Sequence, residues 1–387
     1  MKHHRDTGEF TWVSPSVPRQ GHQVFVPDTD SGGMRVTVVT ESFYPAVDGA
    51  TTTAKAILDR LIDTGHEVSL IAPGPGLACY RNSSVARVRS LDRPGAQVRA
   101  ALAARNPELV IVLSPGTVGR KALKHASRAG ATTLTVQQAP LRDLTPAYWQ
   151  AKVVDRSDLM LTTCDWMRAE VARLGVAAPV WAPGVDPVAF APSVRDERLH
   201  DSWAKARSAQ GPRVVVGFVG SLHKSHGVRR LVEAAAVPGS RLVIIGDGPQ
   251  RSWLDDRLPG AKFTGALGTG DLAVAMASMD LLVHPGETLT CAHALREAAA
   301  SGLPVVAADA GGARDVVRHQ QTGLLFDPDR TGDLFTAVSS VVADPRRGLL
   351  GERGRELIST RTWASAVDEL MVRYVPSAFA AHHPVVA

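Results

Sequence analysis

Apolar residues recur along this chain in short β-branched runs, each closed by a turn and followed by a stretch with helical spacing. MRVTVVTESFYP, starting at Met34, reads as a strand leading into a loop, and ATTTAKAILDRLIDTG behind it reads as a helix stopped by Gly65. HEVSLIAP and ELVIVLSPG are strands on either side of the helical AQVRAALAARNP; GRKALKHASRAG, ATTLTVQQAP, DLMLTTC and a helix ending at Gly175 continue the alternation. Strand, loop and helix repeated in this order predict a parallel sheet with helices on both faces. The pattern breaks in VDPVAFAPSVRDERLHDSWAKARSAQGPR, which is polar and proline-bearing and reads as an interdomain linker. A second alternating series then runs through VVVGFVGS, RLVIIGDGP, AKFTGAL, LLVHPG, LPVVAAD and TGLLFDP. The expectation is an α/β protein of two doubly wound domains, residues 34–195 and 213–361, with a linker at 196–212 and a loose tail at 1–33. Within 362–387, a last helix from Thr362 to Tyr374 is expected to cross back to the first domain. Ligands of such sheets sit at the carboxyl ends of the strands, here in the cleft between the domains.

Composition narrows the function further. The chain has 387 residues, 44% of them hydrophobic, which is enough for two ordinary cores. No stretch reaches the roughly 20 uninterrupted apolar residues of a membrane span and nothing before Gly33 forms a signal peptide, so a cytoplasmic protein without stable membrane insertion is expected. Cys79, Cys164 and Cys291 are odd in number and lack a C-x-x-C spacing. That argues against a disulfide framework or a zinc site and for core thiols. The net charge of +5 comes from arginines spread along the chain, with no block of like charge. Nucleic-acid binding gains little from this, whereas a mild positive field suits an anionic small molecule. His3, His4, His382 and His383 lie near the chain ends and are read as solvent-exposed.

One stretch concentrates chemistry: HPGETLTCAHALREAAASGLPVVAADAGGARDVV, from His284 to Val317. LLVHPG is a strand ending at the cleft, Thr290 has the chemistry of an N-cap for a helix from Cys291 to Ala300, and Gly302 is its stop. Unpaired amides and a positive dipole at that helix start favour a phosphate. Glu297 then lies two turns in, roughly 10 Å along the axis. That offset matches the reach from a diphosphate to a ribose, whose paired hydroxyls a carboxylate can accept from. Gly311 and Gly312 would let backbone amides approach an anion closely. Singly, each feature is also what a surface helix or a turn would show; together they point to a nucleoside-diphosphate site.

This stretch resembles the donor-binding signature of the GT-B retaining glycosyltransferases, the large GT4-like family of glycogen-synthase and mannosyltransferase type. GFVGSLHKSHGVRRLVEA, VIIGDGPQ and FTGAL stand in the same order before it, and ESFYPAVDGATTTAKAIL opens the first domain. The resemblance extends from about residue 34 to about residue 375. It is strongest toward bacterial GDP-mannose-using α-mannosyltransferases, and it implies two Rossmann-like domains facing a central cleft. It also implies a nucleotide sugar as co-substrate, with no further cofactor and no metal.

The family's pair of glutamates eight positions apart is broken, because Leu289 stands eight residues before Glu297 and Glu287 falls two residues early. Where the resemblance implies an Arg and a Lys for the diphosphate, after Gly220, the chain has Ser221 and His226, with His223 and Lys224 nearby. In the first domain Gln138 and Pro140 occupy the stretch where relatives carry an acid or a His. The nucleotide half, Gly246-Asp247-Gly248, Glu297 and Gly311-Gly312, is retained. The resemblance therefore implies Glu297 on the ribose, Lys224 and His226 on the diphosphate, and Gly311 and Gly312 at the sugar or phosphate edge. Gly49 approaches from the first domain, Gly220, Ser221, Leu289 and Thr290 line the donor, and Glu287 and Gln138 are further catalytic candidates. The expected activity is transfer from a GDP-sugar, in preference to a UDP-sugar, to a small soluble acceptor in specialised (antibiotic) metabolism, with an atypical donor sugar. A mannosyltransferase with a lipid acceptor, a GT-B epimerase or hydrolase, and a non-catalytic sugar-nucleotide-binding protein are the alternatives.

Overall fold

The computed structural model describes residues 33–141 and 145–383. The expected tail, apart from Gly33, lies outside the described residues, as do His3 and His4. Strands β1 (Arg35–Val39), β2 (Glu67–Pro73), β3 (Cys79–Tyr80), β4 (Ser83–Val88), β5 (Leu109–Leu113), β6 (Thr132–Gln137) and β7 (Leu159–Thr162) form the first sheet. Its order is β3-β4-β2-β1-β5-β6-β7, all parallel except the β3 edge. The second sheet holds β8 (Val214–Val219), β9 (Ser240–Ile245), β10 (Lys262–Gly265), β11 (Leu281–His284), β12 (Val305–Ala308) and β13 (Gly323–Phe326). Its order, β10-β9-β8-β11-β12-β13, is parallel throughout.

The strands that read most plainly are those buried on both faces. Every residue of β5, LVIVL, is buried, as a central parallel strand covered by helices requires. Helices begin where side chains satisfy their first amides. Asp48 accepts from Thr51 N at 2.9 Å to open helix Gly49–Asp63. Thr362 accepts from Ser365 N at 3.1 Å to open helix Trp363–Glu369.

The C-terminal helices pack on the first domain. Ala366, Val367, Leu370, Tyr374, Val375 and Phe379 pack with Val36, Ile57, Leu61 and Leu134 of the first core, and Trp181 Nε1 donates to Ala366 O at 2.7 Å. The helical path runs on through a π-turn at Leu370–Tyr374 to His382. His382 is therefore not a free tail residue: its Nδ1 lies 3.0 Å from Asp158 Oδ1. Outward and return crossings run side by side, since Val185 N donates to Arg361 O at 3.0 Å and Trp363 N donates to Val185 O at 3.2 Å.

The expected linker at 196–212 is corrected. Asp196 caps a helix, Glu197–Ala204, whose Trp203 and Ala204 are buried in the second core with Val215 and Val243. Val185 and Phe190 belong to that core too, so the chain leaves the first domain between Trp181 and Val185, earlier than residue 195. Among the cysteines, Cys164 and Cys291 are buried but Cys79 is exposed on the β3 edge.

Candidate active site

The carboxyl ends of the two sheets face each other across a cleft of about 990 Å³. Residues 288–292 lead from β11 into helix His293–Ala300 and also touch the first domain. Thr290 Oγ1 donates to Gln138 O, Thr163 Oγ1 donates to Thr290 O at 3.1 Å, and Cys291 Sγ donates to Gln138 Oε1 at 3.6 Å. Thr290 thus ties the domains together and does not cap the helix. Ala292, at φ 50°, is the capping residue, and it offers no side-chain acceptor. With the helix starting at His293, Glu297 lies about one turn in, roughly 6 Å along the axis at 1.5 Å per residue.

Glu297 is half-buried on the second-domain wall, where the cleft lining around it includes Ile245, Leu267, Leu272 and Leu295. No hydrogen bond or ion pair satisfies its carboxylate among the described residues, and burial alone pushes it up to about 7. A carboxylate in this state gains from any ligand that brings hydroxyl donors. Gly220, Ser221, His226, Gly246, Asp247, Leu289 and Thr290 share the wall with it, and Gly49 and Gln138 face them from the first domain.

Several sequence-based expectations do not survive the geometry. Lys224 and Glu287 are exposed and do not line the cleft, so Glu287 does not stand in for the acid missing at Leu289. Gly311 and Gly312 are buried under the 287–290 backbone: a Cβ on Gly311 would stand 2.7 Å from Glu287 O, and one on Gly312 would stand 3.0 Å from Leu289 O. Their missing side chains admit a loop, not a ligand. Gly248 is likewise closed off, since a Cβ there would stand 2.9 Å from the Leu222 backbone. Burial, reinforced by His223, holds His226 below its ordinary pKa, so near pH 7 it is a neutral ring and not the expected cation. Gly49 does line the cleft, but its open side admits the His293 ring, with Cδ2 at 3.0 Å from a Cβ there.

The structure also adds residues that spacing did not reveal. Glu41 follows β1, where ligands of doubly wound sheets gather, and its carboxylate accepts from Gly119 N at 2.7 Å and Val118 N at 3.3 Å. It therefore occupies the N-terminus of helix Thr117–Ala129. Burial raises its pKa against those amides. Ser114 lines the cleft beside it in a left-handed conformation, φ 51°. His293 donates to or accepts from Thr53 at 3.2 Å across the domains.

Two family profiles match the chain: "Glycosyltransferase Family 4" over residues 47–188 and "Glycosyl transferases group 1" over residues 213–344. A GDP-mannose-dependent alpha-mannosyltransferase of Mycolicibacterium smegmatis is 36% identical, over 88% of this chain and 97% of the relative. The protein of the same description from Mycobacterium tuberculosis is 35% identical, over 88% and 96%. The chain belongs to the family 4 glycosyltransferases. Among solved structures, Anabaena HepE in complex with UDP and glucose superposes with a TM-score of 0.73 at 17% identity, covering 89% of this chain and all of that one. That likeness fixes the GT-B fold, two Rossmann-like domains about a cleft. In this glycosyltransferase Ser221, His226 and Leu289 stand at the positions where the resemblance implied charged side chains. No helix among the described residues is long and apolar enough to cross a membrane.

Proposed function

We propose that this glycosyltransferase moves a sugar from a GDP-sugar to a small soluble acceptor with retention of configuration, using no cofactor beyond the nucleotide sugar. The observation that carries the reading is Glu297, a partnerless carboxylate held at about 7 on the wall of the interdomain cleft. The ribose hydroxyls would supply its missing donors. The diphosphate would then lie over Gly220 and Ser221 beside His226, and the sugar against Leu289. Preorganised donors there stabilise charge developing on the leaving diphosphate, and a phosphate oxygen takes the acceptor's proton. Leu289 cannot accept from sugar hydroxyls, which suits a donor that is deoxy, bulky or extended at that edge and supports a role in specialised metabolism. The preference for GDP is supported by the relatives, whose descriptions name GDP-mannose.

Thermal shift with GDP, UDP and ADP tests the reading. A ligand at about 100 times its Kd stabilises by about 2.7 kcal/mol, so GDP should raise Tm by several degrees and more than the others. No shift with any of the three would count against a nucleotide site, and a larger shift with UDP or ADP would change the base. Release of GDP from a GDP-sugar only when acceptor is present separates an enzyme from a non-catalytic binder.

A lipid acceptor has one observation in its favour. Arg128, Lys121, Arg156 and Lys152 crowd Lys124 closely enough to lower its pKa, and Lys124 and Arg99 act in the same direction on His125. Such a surface suits anionic headgroups. Cosedimentation with vesicles containing anionic lipid, absent with neutral vesicles, would favour that acceptor.

A further inference from the structure

His284 ends β11 with 3% of its surface exposed, and it lines the same cleft. Its Nδ1 accepts from Gly286 N at 3.2 Å. A ring nitrogen that accepts carries no hydrogen, so the neutral imidazole bears its proton on Nε2. Burial, with His226 adding to it, holds the ring down to about 3, far below any working pH. Phe218 packs beside the ring at 5.2 Å between centroids. Gly286 contributes twice, since its amide is the donor and a Cβ there would stand 3.1 Å from Nδ1.

The Nε2 edge has no partner among the described residues. It faces the space beside Gly220, where a Cβ would stand 3.6 Å from His284 Nε2 and 3.8 Å from His226 Nδ1. His226 Nδ1 is itself buried and unpartnered. Two imidazole nitrogens from separate elements therefore converge on the space beside Gly220 that a side chain there would enter. Gly220, at φ 153°, also holds a backbone conformation that other residues enter only with strain.

We propose that His284 is a neutral hydrogen-bond donor to the diphosphate of the bound nucleotide sugar, its Nε2–H meeting an oxygen in the space beside Gly220. This assignment rests on the nucleotide reading of the cleft. It gives the diphosphate a donor that needs no proton uptake and whose tautomer is set before the ligand arrives. The described lining of the cleft carries the carboxyl groups of Glu41, Asp48, Asp247 and Glu297 and no lysine or arginine. A fixed neutral donor at that wall supplies a partner for the phosphate oxygens without a buried cation.

Two substitutions separate ligand binding from structural support. His284→Asn puts Oδ1 near the position of Nδ1, keeps the Gly286 amide satisfied and removes the donor at Nε2. His284→Gln does the reverse, since its Nε2 reaches the neighbourhood of the ring's Nε2. GDP binding is measured by calorimetry on wild type and both variants, with circular dichroism confirming the fold. His284→Asn should weaken GDP by about 10- to 100-fold, the loss of one hydrogen bond to a charged group, while His284→Gln stays within about threefold of wild type. Unchanged binding in His284→Asn overturns the assignment, as does the reversed order, which marks a purely structural ring. A wild type that binds none of GDP, UDP and ADP overturns the nucleotide reading and this assignment with it. Imidazole ¹⁵N spectra of the wild type give a readout independent of either variant. The non-titrating Nε2–H signal should move on adding GDP, and a signal that stays put overturns the assignment.

Discussion

Replacing Glu297 with Gln should make the protein more stable and worse at binding nucleotide. A carboxyl group whose folded pKa lies above its unfolded value leaves stability intact below the unfolded pKa and erodes it as pH rises through the folded one. For Glu297 the loss accumulates between about 4.5 and about 7 and is complete above that. At about 1.36 kcal/mol for each pH unit, the displacement from 4.5 to about 7 is worth about 3 kcal/mol as an upper limit. Water at the cleft edge screens part of this, so about 1–3 kcal/mol is expected. Gln keeps the shape and removes the charge, so Glu297→Gln should raise Tm at pH 8.5 by about 2–4 °C for each kcal/mol and leave it unchanged at pH 4.5. Scanning calorimetry on both proteins at the two pH values is the assay. GDP affinity, measured alongside at pH 8, should fall about 10-fold or more, because the charged acceptor for the ribose hydroxyls is gone. A Tm difference that is the same at both pH values, or a variant less stable at pH 8.5, would refute the claim that the carboxylate stands unpaired.

Further expectations follow from the same wall. Donation from the ribose favours the ionised carboxylate, so the bound pKa of Glu297 lies below the free value of about 7. GDP affinity should therefore be constant above about pH 7.5 and fall as pH drops below about 7, by up to tenfold per pH unit; titration calorimetry from pH 5.5 to 8.5 tests this, and affinity that falls on raising the pH would restore a protonated His226 to the diphosphate. Leu289→Glu should raise kcat/KM for GDP-mannose relative to wild type, since a carboxylate there can accept from ordinary sugar hydroxyls. Wild-type preference for GDP-mannose that Leu289→Glu makes worse would contradict the altered-donor reading.

The fold was legible where burial on both faces writes an apolar run, as in β5 and β11. Of the strands missed, β3 is an edge of two residues that are not buried, and β4, though longer, reads SSVARV with no clean alternation. Helix Glu197–Ala204 was hidden because its apolar side amounts to little more than Leu199, Trp203 and Ala204 among charges. In the site, spacing marked Glu297 as facing a ligand, but only packing shows that it has no partner. The glycine pair at 311–312 announces that something comes close, and sequence cannot say whether that is a phosphate or the Leu289 backbone. Lys224 shows the same limit, since only Ser225 separates it from His226 and only the turn decides which faces the cleft. His284 did carry a local signal: a glycine two residues on, whose amide can reach Nδ1.

The most direct test is a crystal structure of the protein with GDP. Both ribose hydroxyls should lie within hydrogen-bond distance of Glu297, at about 2.5–3.0 Å, with the diphosphate over Gly220 between His284 and His226. A ribose turned away from Glu297, or a diphosphate bound at Gly311 and Gly312, would contradict this placement.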